Sequence, residues 1–100
     1  MNSVQEAIFV GSREESGIWE VLNDLASSLG ISRERAFSLI QDELGFLMAR
    51  DDIFLIRSDR LYETDGCTVL DAKRLAGLTL DDVEFQEGGP FYYFSNVPTI

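Results

Sequence analysis

The chain has 100 residues, 45% of them hydrophobic and 11% aromatic, which suits one domain with its own core and excludes an intrinsically disordered segment. Eighteen Asp and Glu against eight Lys and Arg give a formal charge of −10, shared as 8 acids and 4 bases in the first fifty residues and 10 and 4 in the last fifty. No acidic tail carries the excess, so the folded surface itself is expected to be negative, repelling phosphate backbones and favouring encounter with a basic partner.

In chain order, the short apolar run AIFVG at 7–11 reads as a first strand ending at a glycine. Ile18, Leu22, Leu25, Ala26 and Leu29 then recur at helical spacing, with Trp19 and Val21 at the edges of the stripe and Glu20, Asn23, Asp24 and Ser27 opposite. Ser12 (with Glu15 three residues on) and Ser16 are alternative starts for this helix, and Gly17 argues against the earlier one. Gly30 closes it and Ile31 supplies the apolar contact that follows such a cap.

Ser32 is the expected N-cap of a second helix running to about Arg50, with Glu34 complementing its dipole. Its apolar positions Ala36, Phe37, Ile40, Leu44, Leu47 and Met48 are widened by Leu39 and Phe46, so it is expected to be the central helix, packed on more than one side. IFLIR at 53–57 reads as a strand buried on both faces. Asp65-Gly66, between LYET and CTVL, is a hairpin signal. Residues 70–76 read as a short helix closed by Gly77, and TLDDVEFQEGGP as an acidic connection broken at Gly-Gly-Pro. FYYFS at 91–95 is an aromatic strand, expected to be the antiparallel neighbour of 53–57. The predicted fold is α+β, with two or three helices on a small antiparallel sheet in a single domain over 1–100.

The residue inventory is poor in catalytic chemistry. There is no histidine, and Cys67 is the single cysteine, without the partner that usually activates a thiol. No enzyme activity, cofactor or metal is expected. Glu63, Asp65 and Gly66 match part of a calcium loop, but Leu61 and Ala72 occupy its two essential ligand positions. One cysteine allows no internal disulfide, the N-terminus has no signal-peptide character, and no apolar run approaches the length of a membrane span. The expected location is cytoplasmic.

The segment LASSLGISRERAFSLIQDELGFLMARDDIFLIR, residues 25–57, resembles the helix-turn-helix core of winged-helix proteins: a helix, the turn ISRE, a second helix, then a strand. With AIFVG before and FYYFS after, the resemblance implies a winged-helix-like layout, with the second helix in the position that enters the DNA major groove. The IWEVLNDL and PFYYF segments are similar to small bacterial proteins of that general shape. Arg33, Glu34 and Arg35 would lead the recognition helix, and Asp42 and Glu43 follow, a charge pattern ill suited to DNA.

The remaining candidate is an acidic surface built by Asp51, Asp52 and Asp59 at the strand ends, Glu63 and Asp65 in the polar segment, and Asp81, Asp82, Glu84 and Glu87 before the last strand. In FYYFS, alternation puts Phe91 and Tyr93 on one face and Tyr92 and Phe94 on the other. Tyr92 is the aromatic anchor expected beside these carboxylates, unless both pairs are covered, one of them by the 70–77 helix. The function expected from size, charge and missing catalytic equipment is a small inhibitor or immunity-type protein that occludes a basic partner such as a nuclease toxin. The alternatives are a winged-helix DNA-binding regulator and a self-associating structural or adaptor domain, so the chain is expected as a monomer or a homodimer.

Overall fold

Asn2 opens the first helix through a reciprocal cap: its Oδ1 accepts the Gln5 backbone N–H at 2.8 Å, and Gln5 Oε1 accepts the Asn2 N–H at 3.3 Å. The resulting helix α1, Ser3–Glu14, replaces the strand expected at 7–11. Val4, Ile8, Gly11 and Ser12 lie on one buried face of it, a helical period that a five-residue window is too short to display. The computed structural model describes residues 2–50, 53–60 and 68–95. Asp51, Asp52, Glu63, Asp65, the Asp65-Gly66 turn and Cys67 lie outside the described residues.

Helix α2 spans Ile18–Leu29, and neither Ser12 nor Ser16 caps it. Gly17 is its N-cap, with its backbone N–H donated to Glu20 Oε2 at 3.2 Å, while Ser12 is buried inside α1. Gly30 ends α2 as the sequence implies, in the left-handed region at φ 64°, and the Ile31 N–H reaches the Ala26 carbonyl at 3.1 Å. Helix α3, Arg33–Arg50, begins at Ser32, whose Oγ accepts the Arg35 N–H at 3.1 Å. Its buried residues are Ala36, Phe37, Ile40, Leu44 and Leu47, and it touches α1, α2 and two later short helices, so it is the central helix. Phe46, expected to extend the buried face, is instead 50% exposed.

Three strands, β1 (Phe54–Ser58), β2 (Thr68–Leu70) and β3 (Phe91–Ser95), form an antiparallel sheet in the order β2-β1-β3. Leu55 faces Phe94 and Ile56 faces Tyr93, so the expected pairing of the 53–57 and 91–95 segments is present. Between α1 and α2, Gly17 makes a single β-bridge to Tyr93. Helix α4 (Ala72–Ala76) is capped by Asp71, and α5 (Leu80–Val83) is one turn of helix inside the segment expected as a plain connection. Gln41 on α3 ties this region down, its Nε2 donating to the carbonyls of Leu75 at 3.1 Å and Leu78 at 3.0 Å. The described residues thus form an α+β architecture of five helices and a three-stranded open sheet.

Strand alternation divides the apolar residues into two clusters. Leu55, Leu70, Tyr92 and Phe94 pack under the helices with Ile8, Leu22, Ile40 and Leu44. Ile56, Phe91 and Tyr93 point to the other face, where Trp19 covers them and Phe54 packs alongside. Gly11 marks the tightest meeting of α1, α2 and β3: a Cβ there would lie 3.1 Å from Val21 Cγ2 and 3.2 Å from Phe94 Cδ2.

Two substitutions test these constraints by chemical denaturation. Gly30→Ala, with open space around it but a positive φ, is expected to cost about 1 kcal/mol through backbone strain alone. Gly11→Val is expected to cost roughly 1–3 kcal/mol by overpacking the contact with Val21 and Phe94.

Candidate protein-contact surface

Residues 79–90 form a loop held by its own hydrogen bonds. Thr79 Oγ1 accepts the Asp82 N–H at 3.3 Å and Asp82 Oδ2 accepts the Thr79 N–H at 2.8 Å, so the Asp82 carboxylate is engaged in starting α5. Val83 is fully buried and anchors the turn to the core. Gln86 Nε2 donates to the Asp81 carbonyl at 2.8 Å, and the Gly89 N–H to the Gln86 carbonyl at 3.0 Å. Gly88 and Gly89, at φ 86° and 77°, then turn the chain into β3.

Within this frame Phe85 is 52% exposed. Its ring leans on Trp19, at 5.5 Å between centroids, and on Phe91, at 5.6 Å, while Trp19 stands edge-on to Tyr93 at 5.4 Å. A large apolar ring is thereby presented to solvent on a rigid aromatic base, in a segment that also carries the exposed Asp81, Asp82 and Glu87.

Glu84, expected in the acidic surface, also serves the fold. Its Oε1 accepts Arg33 Nε at 2.7 Å, joining α5 to the first turn of α3, and the same guanidinium also donates to Asn23 Oδ1. Both partners of the ion pair are about one-third exposed, at 35% and 37% of side-chain area. Asp59 lies 3.3 Å from the Arg57 guanidinium, and its backbone carbonyl abuts Gly89, which brings it to the turn that follows Glu87.

Tyr92, expected as an exposed anchor, is only 8% exposed and belongs to the core under the helices. Both aromatic pairs of β3 are covered, and the outer pair is covered by Trp19 rather than by the 70–77 helix. The exposed aromatic beside the carboxylates is Phe85. Its only sequence signal is position: one aromatic two residues beyond the buried Val83, in an otherwise acidic stretch.

On α3, Arg33 is engaged with Glu84 and Asn23, and the exposed Arg35 sits beside Glu34 with Asp42 and Glu43 further along, so no basic stripe forms among the described side chains. Glu43 accepts hydrogen bonds from Asn2 Nδ2 at 3.1 Å and Gln5 Nε2 at 2.7 Å, holding α1 to α3. Among the described residues no group of three or more His, Cys, Asp or Glu is placed to hold a metal ion, and no helix is long and apolar enough to cross a membrane. No protein-family model matches the sequence, and no curated protein or solved structure is significantly similar to it.

Trp19 is the sole tryptophan, so its fluorescence reports this surface directly. Phe85→Ala is expected to increase acrylamide quenching of Trp19 while leaving the fold intact by circular dichroism. A double-mutant cycle on Arg33 and Glu84 is expected to give a coupling of about 0.5–1 kcal/mol, reduced by high salt, as befits a pair about one-third exposed.

Proposed function

We propose that this chain is an acidic protein-binding domain of the inhibitor or immunity type, which occludes a basic site on a partner protein such as a nuclease toxin. The observation that carries the reading is Phe85, half exposed on a base of Trp19 and Phe91 in the segment that displays Asp81, Asp82 and Glu87. Carboxylates of this kind steer a cationic surface into encounter and occupy positions where substrate phosphates would bind. An aromatic already held in place loses little freedom on docking, so it lengthens the life of the complex. Mechanism is then stoichiometric occlusion in the cytoplasm, with no catalytic step and no cofactor.

The helix pair α2–α3 leading directly into β1, with the Gly17–Tyr93 bridge ahead of α2, favours a winged-helix DNA-binding regulator as the second reading. Against it stand the net charge and the engagement of Arg33 by Glu84. The two readings separate on a titration with duplex DNA at low salt. The regulator reading expects salt-dependent binding, and the inhibitor reading expects none.

The inhibitor reading is tested by affinity capture from the native cell with mass spectrometry, followed by kinetics on the captured partner. Asp81→Lys with Glu87→Lys is expected to slow association at least tenfold at low salt, and Phe85→Ala to speed dissociation at least tenfold. A partner that binds through an acidic surface would overturn the proposal.

A further inference from the structure

A second surface, independent of the 79–90 loop, lies between α1 and α2. Residues from the first to the last turn of both helices line a groove of about 690 Å³. Its apolar part is Ala7 and Val10 from α1 with Val21, Leu25 and Leu29 from α2, and Val10 and Leu29 remain 38% and 42% exposed. Its charged lining is Glu6, Glu14, Glu20 and Asp24, and neither lysine nor arginine contributes to it.

We infer that this groove docks a basic amphipathic helix of a partner protein. Three arguments fix the occupant. The charge is one-sided, so a cation-bearing segment gains from four carboxylates, whereas a second copy of this chain docked groove to groove would bring eight carboxylates together.

The apolar positions Val21, Leu25 and Leu29 extend about 12 Å along α2, which matches two to three turns of a helix laid against the pair. A peptide docking by strand addition would instead need a row of free backbone groups, and two helices that satisfy their own backbone offer none. The partner segment would present apolar residues at positions i, i+3 or i+4, and i+7, with lysine or arginine on the flanks.

The test uses the full chain and a fluorescein-labelled Leu/Lys peptide of about 18 residues, long enough to be helical, with leucines along one face. Two control peptides are needed: the same composition reordered to remove the helical period, and the same pattern with Glu replacing Lys. Fluorescence anisotropy is expected to give micromolar binding of the patterned basic peptide, at least tenfold tighter than the reordered one, and none for the acidic one.

Amide chemical-shift changes are expected to cluster at Ala7, Val10, Leu25 and Leu29. Val10→Asp with Leu29→Asp, and separately Glu6→Lys with Asp24→Lys, are each expected to weaken binding at least tenfold. Asp81→Lys with Glu87→Lys should change it less than twofold, which distinguishes this groove from the 79–90 surface. If the aspartate variant unfolds by circular dichroism, the lysine variant decides. Equal binding of the reordered peptide, or binding undiminished by the groove variants, would overturn the inference. So would a dimer of the chain alone, seen by sedimentation, that the groove variants dissociate.

Discussion

A strand with consecutive apolar residues must be covered on both faces, and much of this molecule follows from meeting that demand with few elements. Leu55 and Ile56 of β1 point in opposite directions and both are fully buried. The inner face is covered by α1, α2 and α3, which supply most of the main cluster. Among the described residues, the outer face has no helix laid across it, and Trp19, projecting from the first turn of α2, covers Ile56, Phe91 and Tyr93. Gly17 permits this, because a side chain there would run into the Trp19 ring. Phe85 completes the cover, packed against both Trp19 and Phe91, and about half of it is left in water.

The same constraint sorts the carboxylates. Among the described residues, Glu20, Asp71 and Asp82 cap helices, Glu43 holds α1 to α3, and Glu84 holds α5 to α3 through Arg33. The carboxylates of Glu6, Glu14, Asp24, Asp81 and Glu87 accept no hydrogen bond and form no ion pair within the described residues, and each residue lies beside exposed apolar surface, in the α1–α2 groove or the 79–90 segment. Carboxylate next to exposed apolar area is the combination that supports a binding role, since charge governs encounter and apolar area governs lifetime. A uniformly solvated acidic shell would serve solubility alone.

Where the sequence was legible, the cause was local. Gly30, Ile31 and Ser32 fix the α2–α3 junction through cap chemistry that needs only neighbouring residues. IFLIR and FYYFS declare themselves as strands by composition, and their pairing followed from being the two most β-prone segments. The first helix was misread because AIFVG satisfies a strand template, and the evidence for a helix lies in Asn2, Gln5 and the wider Val4–Ile8–Gly11 period. Tyr92 was misassigned because alternation separates the two faces of β3 but does not say what covers each.

Taken alone, the sequence determined the sign of the net charge, the α+β class, the junction between the two main helices and the identity of the two paired strands. These depend on composition, period and short-range capping. Tertiary structure decided which carboxylates are engaged by the fold, that Phe85 rather than Tyr92 faces water, and that α1 and α2 leave an acid-lined groove between them. Those are properties of residues distant in the chain, such as Arg33 with Glu84 and Trp19 with Phe85, and only packing in three dimensions brings such pairs within reach.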